Sequence, residues 1–175
     1  MKVLIIIPAY NEEESIEKVI NNLKQNYSQY DYVIINDGSH DHTSEICHKN
    51  KYKIIDLPVN LGLTGAFQTG LKYAYKKGYD YAIQFDADGQ HLPEYIPAMV
   101  DKIEEGYDMV IGSRFVEKPK PRSLRMLGSR VISTAIKITT GVHIADPTSG
   151  MRLFNKTLIR EFAENINYEP EPDTC

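Results

Sequence analysis

Five short apolar runs fall within the first 111 residues, and segments with helical periodicity separate them. Val3–Ile7, Tyr32–Ile35, Lys53–Leu57, Tyr81–Phe85 and Met109–Ile111 read as strands. Between them, 15–25 places Ile16, Val19, Ile20 and Leu23 on one helical face, and 43–50, 64–77 and 94–105 supply further crossover helices. Repeated strand–helix–strand units predict an α/β fold: a doubly wound, mainly parallel sheet with helices on both faces. A chain of 175 residues, 42% of them apolar, buries one good core, which predicts a single domain.

Tyr81-Ala-Ile-Gln-Phe-Asp86-Ala-Asp88-Gly89-Gln90-His91 carries the densest chemistry. Tyr81, Ile83 and Phe85 share a strand face, so the run delivers Asp86 and Asp88 to the carboxyl end of a sheet element, where open parallel sheets bind ligands. Residues two apart on an extended segment face the same way. Two such carboxylates repel unless a cation lies between them, and Mg²⁺ or Mn²⁺ completed by substrate phosphates is the natural one. A solvated acidic turn also fits the bare Asp-x-Asp spacing. An EF-hand does not, because Gly89 is fourth and Pro97 twelfth from Asp86.

The net charge of −4 argues against general nucleic-acid binding. Within it, 114–130 holds six bases and one acid, a local +5 against −9 elsewhere. Such a cationic strip suits phosphates or an anionic lipid surface, and equally an ordinary solvated loop. The longest wholly apolar run, Val3–Ile7, is far too short to cross a bilayer and makes a poor signal peptide, so the expected location is cytoplasmic. Cys47 and Cys175 lack metal or disulfide spacing. His40, His42 and His48 sit among turn and helix-start residues without the spacing of a zinc site.

Neither Gly-x-Gly-x-x-Gly after the first strand nor Gly-x-x-x-x-Gly-Lys-Ser/Thr occurs, which disfavours dehydrogenases and P-loop kinases. The first strand ends instead in Pro8-Ala-Tyr-Asn-Glu12 and the second in Asn36-Asp-Gly-Ser39. A tyrosine ring can stack on a nucleobase, and a carboxylate accepts hydrogen bonds from a base imino group or ribose hydroxyl. Taken singly, each motif also fits a helix-entry or Asx turn.

Together these motifs resemble the GT-A catalytic domain of glycosyltransferase family 2, closest to the dolichyl- or polyprenyl-phosphate mannose and glucose synthase branch. The likeness runs through Pro-Ala-Tyr-Asn-Glu at 8–12, Asn-Asp-Gly-Ser at 36–39, Asp-Ala-Asp-Gly-Gln-His at 86–91, Gly-Ser-Arg at 112–114 and Asp-Pro-Thr-Ser-Gly at 146–150. It spans 1–168, which the resemblance marks as the Rossmann-like, nucleotide-diphospho-sugar transferase domain; 169–175 reads as a tail, cut short relative to relatives.

The resemblance implies that Pro8, Ala9, Tyr10, Glu12 and Asp37, with Asp86, bind the nucleoside diphosphate donor. Asp86, Asp88 and Gln90 would hold Mg²⁺ or Mn²⁺, and Arg114 would face a donor or acceptor phosphate. Arg125 and Ser129 reproduce an Arg and Ser, four residues apart, that approach the acceptor phosphate. Residue periodicity supports this pair independently: a helix over 123–140 would align Arg125, Ser129, Ser133 and Lys137 in one polar stripe, although any amphipathic surface helix would look the same. Asn36 departs from the family, which often has an acid there.

The implied activity is metal-dependent, inverting transfer of a sugar from a UDP- or GDP-sugar to a polyprenyl phosphate or a cell-surface glycan or glycolipid. A lipid phosphate is already an anionic nucleophile, whereas a sugar hydroxyl needs a base, for which Asp146 is the candidate beside its plain reading as a turn residue. Asp88 and Arg114 complete the expected catalytic set. Membrane contact would be peripheral, at the inner face of the cell membrane. Two alternatives stand: a non-catalytic nucleotide-sugar-binding fragment, and a sugar-phosphate nucleotidylyltransferase, which would normally carry a glycine-rich basic loop after its first strand.

Overall fold

The computed structural model describes residues 1–87, 92–112 and 150–165. In chain order its elements are β1 (Val3–Ala9), α1 (Ile16–Asn26), β2 (Asp31–Asn36), α2 (Thr43–Lys49), β3 (Ile54–Asp56), α3 (Gly62–Lys77), β4 (Tyr81–Gln84), a 3₁₀ turn (Pro93–Tyr95), α4 (Ile96–Ile103), β5 (Met109–Ile111), β6 (Arg152–Asn155) and α5 (Lys156–Glu164). The six strands form one sheet in the order β3-β2-β1-β4-β6-β5. β3, β2, β1 and β4 run parallel, while β6 is antiparallel to both β4 and β5.

The composition of β1 explains its place near the centre. All seven residues of Val-Leu-Ile-Ile-Ile-Pro-Ala are buried, as a strand covered on both faces requires. Alternate side chains divide between two cores. Val3, Ile5, Ile7 and Ala9 join Ile16, Ile20 and Leu23 of α1, Cys47 of α2 and Ile96, Met99, Val100 and Ile103 of α4. Leu4 and Ile6 face the other way, against Ala66, Leu71 and Ala74 of α3 and Ile159 of α5. This is the doubly wound arrangement expected from the alternating pattern.

The structure revises some boundaries. The strand expected to run to Phe85 leaves the ladder at Gln84, although the Phe85 N–H still bonds the Ile6 carbonyl at 3.0 Å. The helix expected over 94–105 opens as the 3₁₀ turn at Pro93 and becomes α-helical only at Ile96, with prolines in the first turn of both pieces, where a missing N–H costs least. β6 and α5 were not expected. Arg-Leu-Phe-Asn offers only two adjacent apolar residues, too little pattern to mark a strand. Asn155 fixes this corner: its N–H and side-chain amide bond the carbonyl and carboxylate of Asp108 at 3.0 and 2.7 Å, and its Oδ1 caps α5 by accepting from Leu158 N at 3.0 Å. The expected helix at 123–140 and the tail at 169–175 lie outside the described residues.

Candidate functional site

From β1 the chain passes to one side for β2 and β3, then crosses to the other for β4. The crevice at the carboxyl ends of β1 and β4 is therefore a topological switch point. A cleft of ≈ 300 Å³ opens there. Pro8, Ala9, Tyr10 and Glu12 line it from the end of β1, Asp37 from the end of β2, and Asp86 and Ala87 from the end of β4. All six donor-binding residues expected from the sequence thus share one cavity.

Parallel register puts them there. Ala9 pairs with Asn36, and the Asp37 N–H bonds the Ala9 carbonyl at 2.8 Å, carrying the ladder one residue past β2. Gln84 pairs with Ile6, so the same register carried two residues on sets Asp86 beside Pro8. Tyr10 is 44% exposed, its ring inclined 76° to that of His40 with centroids 6.3 Å apart. Glu12 is oriented by the Ser15 hydroxyl, which donates to its carboxylate, while the Glu12 N–H bonds Thr43 Oγ1 at 2.8 Å.

The Asn36-Asp-Gly-Ser turn divides its labour. Asn36 does not line the cleft: its amide donates to Asp56 Oδ1 at 2.7 Å and its Oδ1 accepts from Ser39 N at 3.2 Å. Ser39 Oγ in turn accepts from Asn11 N at 3.0 Å, joining the ends of β1 and β2. An asparagine at this position is thus a structural tie. Asp56 also receives Ser44 Oγ at 2.8 Å and pairs with His48 Nε2 at 2.7 Å. Partial burial pushes the Asp56 carboxyl up, but hydrogen bonds from Asn36, His48 and Ser44 outweigh it and hold the group below its ordinary value. Of the other histidines, His42 pairs with Glu45 at 3.1 Å.

Besides Ala87, next to Asp86, four cleft residues were not anticipated: Asn60, Gly62, Leu63 and Ala66. They come from the β3–α3 loop and the start of α3, which fold over the end of β2. Leu57 N bonds the Asn36 carbonyl at 2.8 Å, and Asp37, only 3% exposed, accepts from Leu61 N at 2.7 Å. Gly38, at φ +67°, lies so close that a Cβ there would meet Asn60 N at 2.8 Å and the Val59 carbonyl carbon at 2.9 Å. The one sequence sign was Asn60-Leu-Gly62 at the head of a helical pattern, where Asn60 Oδ1 accepts from Gly62 N at 2.9 Å.

Asp88, Gln90, Arg114, Arg125, Ser129 and Asp146 lie outside the described residues. Asp86 is thus the one described member of the expected metal set, a half-buried carboxylate of the hard-oxygen type that Mg²⁺ and Mn²⁺ take. Among the described residues no group of three or more His, Cys, Asp or Glu side chains converges as a metal cage. No helix among the described residues is long and apolar enough to cross a membrane.

A parallel-centred sheet with one inserted antiparallel strand, and a carboxylate-lined cleft at its switch point, define an α/β domain of the GT-A glycosyltransferase class. A model of the family described as Glycosyl transferase family 2 matches residues 4–162, and the chain belongs to that family. It is 35% identical over 195 aligned positions to the UDP-N-acetylglucosamine–dolichyl-phosphate N-acetylglucosaminyltransferase of Methanococcus voltae, covering 99% of this chain and 76% of that protein. It is 27% identical to the polyprenol monophosphomannose synthase of Mycolicibacterium smegmatis, covering 91% of this chain and 64% of that one. Glucosyl-3-phosphoglycerate synthase of Mycobacterium tuberculosis, solved with Mn²⁺, UDP-glucose and phosphoglyceric acid, shares the fold at TM-score 0.71 and 20% identity over 90% of this chain and 57% of its own. The chain thus spans between about half and three quarters of the length of these proteins.

Proposed function

We propose that this domain transfers a sugar from a nucleoside diphosphate sugar to a polyprenyl phosphate, with inversion at the anomeric carbon. The observation that carries the reading is the convergence of Pro8–Glu12, Asp37 and Asp86 on one switch-point cleft. The names of the relatives, a dolichyl-phosphate N-acetylglucosaminyltransferase and a polyprenol monophosphomannose synthase, support the lipid phosphate over a glycan or glycolipid acceptor. UDP is favoured by the relative that uses UDP-N-acetylglucosamine and by the UDP-glucose bound to the solved neighbour; GDP is the competing donor base.

In this reading Tyr10 stacks on the base, Asp37 accepts from the base or ribose, and Glu12 contacts the nucleoside. Asp86, Asp88 and Gln90 hold Mg²⁺ or Mn²⁺, which when bound neutralises the diphosphate as it leaves. Arg114 adds a fixed positive charge that matters more as the leaving group gains charge. Arg125 and Ser129 hold the acceptor phosphate, whose own oxyanion attacks; Asp146 acts as a base only if the acceptor is a hydroxyl. The domain works at the inner face of the cell membrane by peripheral contact.

The test is calorimetric titration of UDP and of GDP, with Mn²⁺ and with a chelator, on the wild type and Asp88→Ala. Binding of one nucleotide that needs both metal and Asp88 supports the donor site and picks the base. Binding of neither overturns the reading. Nucleotide binding without sugar transfer to polyprenyl phosphate would instead favour a non-catalytic binding domain.

A further inference from the structure

One part of the cleft lining belongs to none of the strand ends. It is built by Asn60, Gly62 and Leu63, and the segment carrying them is fastened to the turn after β2 at three places. Leu57 N bonds the Asn36 carbonyl, Leu61 N bonds Asp37 Oδ1, and the Val59–Asn60 backbone rests on Gly38 where no Cβ fits. Two of these fasteners use backbone groups or the lack of a side chain, and the third uses one oxygen of a nearly fully buried carboxylate. Such a wall is set before any ligand arrives, because each tie is made within the protein.

We infer that Asp37 and Gly38 are positioning residues for donor selection: they hold residues 57–63 as a preformed wall that decides which nucleoside diphosphate the cleft accepts. The inference rests on the nucleotide reading of the cleft. Asp37 Oδ1 is already engaged by the wall before any ligand enters. Gly38 does not itself line the cleft, so a change there reaches the ligand through the wall and the Asp37 turn it is bonded to.

The Oδ1 duty and the wall's role have separate tests. Amide hydrogen exchange on the wild type, without ligand, reads the Leu61 N–H directly; strong protection is expected, and exchange at the free-loop rate overturns the inference. Gly38→Ala forces a Cβ onto the Val59–Asn60 backbone. It should speed Leu61 exchange, weaken the preferred nucleotide roughly tenfold or more, and shrink the UDP-to-GDP affinity ratio, with donor KM rising more than kcat falls. Asp37→Asn keeps an oxygen for Leu61 and should leave that amide protected, whereas Asp37→Ala should not. Wild-type affinity and selectivity in folded Gly38→Ala overturn the inference. If Gly38→Ala fails to fold, the Asp37→Asn and Asp37→Ala comparison of Leu61 exchange decides the Oδ1 duty. A wild type that binds neither nucleotide but protects Leu61 refutes the nucleotide reading, and the selection role with it, while leaving the tie itself intact.

Discussion

Gly70 of α3 sits directly over Ile6 of β1, so close that a Cβ on Gly70 would come within 2.2 Å of Ile6 Cγ2 and 3.1 Å of its Cδ1. Ile6 is fully buried and Gly70 lies mid-helix, where glycine is otherwise a poor choice. The close approach accounts for it: α3 carries a wall of the cleft at its first turn, and its distance from the sheet sets where that wall stands.

Gly70→Ala should therefore destabilise the domain by about 1–3 kcal/mol despite the better helix propensity of alanine, because the helix must lift or Ile6 must leave its rotamer. Thermal or urea unfolding measures this directly. Pairing it with Ile6→Ala, which removes Cγ2 along with Cγ1 and Cδ1, should cost less than the sum of the two single changes; stability at or above wild type in Gly70→Ala alone would refute the close packing.

Asp56 gives a pH signature. Its folded pKa is depressed, so its contribution is present above the unfolded carboxylate value and is lost as pH falls through the folded one, an interval below about pH 4. Asp56→Asn should lower the melting temperature near neutrality, and the gap from wild type should close as pH drops below about 4. The gap will be small, below about 1 kcal/mol, since the side chain is 38% exposed and solvent screens the pairing. A gap that widens on acidification would contradict the assigned direction.

Cys47 is fully buried between α2 and the sheet, and burial, with the nearby Asp56 charge adding to it, pushes its thiol up to about 11. The thiolate is the reactive form, so Cys47 should resist alkylation in the folded protein at pH 8 and react only on unfolding. Peptide-level mass spectrometry after brief iodoacetamide treatment, with and without urea, checks this. Rapid native labelling of Cys47 would show that α2 opens readily.

The parts of this molecule legible in the sequence are those whose signal is local. The all-apolar run at 3–7, the face Ile16, Val19, Ile20 and Leu23, and the polar residues ending each strand announced the sheet, the helices and half of the cleft. What was illegible depends on partners far along the chain. β6 is a strand because Leu153 and Phe154 find β4 and β5 on either side, and four residues cannot advertise that alone. Asn60, Gly62, Leu63 and Ala66 line the cleft because Asp37, 24 residues from Leu61, holds their loop in place. Asn36 looked like a departure from the family pattern, and its place is explained by Asp56, 20 residues away.

The same topology bears on the acceptor side. β5 ends and β6 begins at the cleft edge of the sheet: Ile111 pairs with Arg152, and Gly112 N bonds the Met151 carbonyl at 2.8 Å. Gly112 and Met151 thus lie on the side of the sheet where Asp86 and Ala9 emerge, and the proposed acceptor residues Arg125 and Ser129 fall between them in the sequence. A guanidinium holding an acceptor phosphate makes charge-assisted hydrogen bonds that alanine cannot. Arg125→Ala should raise the KM for polyprenyl phosphate roughly ten- to a hundredfold while the donor KM moves little. Arg125→Lys should recover only part of the loss, because an ammonium keeps the charge and lacks the bidentate fork. Steady-state kinetics with each substrate varied in turn makes the measurement. Equal effects on donor and acceptor would remove Arg125 from the acceptor site, since a residue that recognises one phosphate has no reason to weaken both.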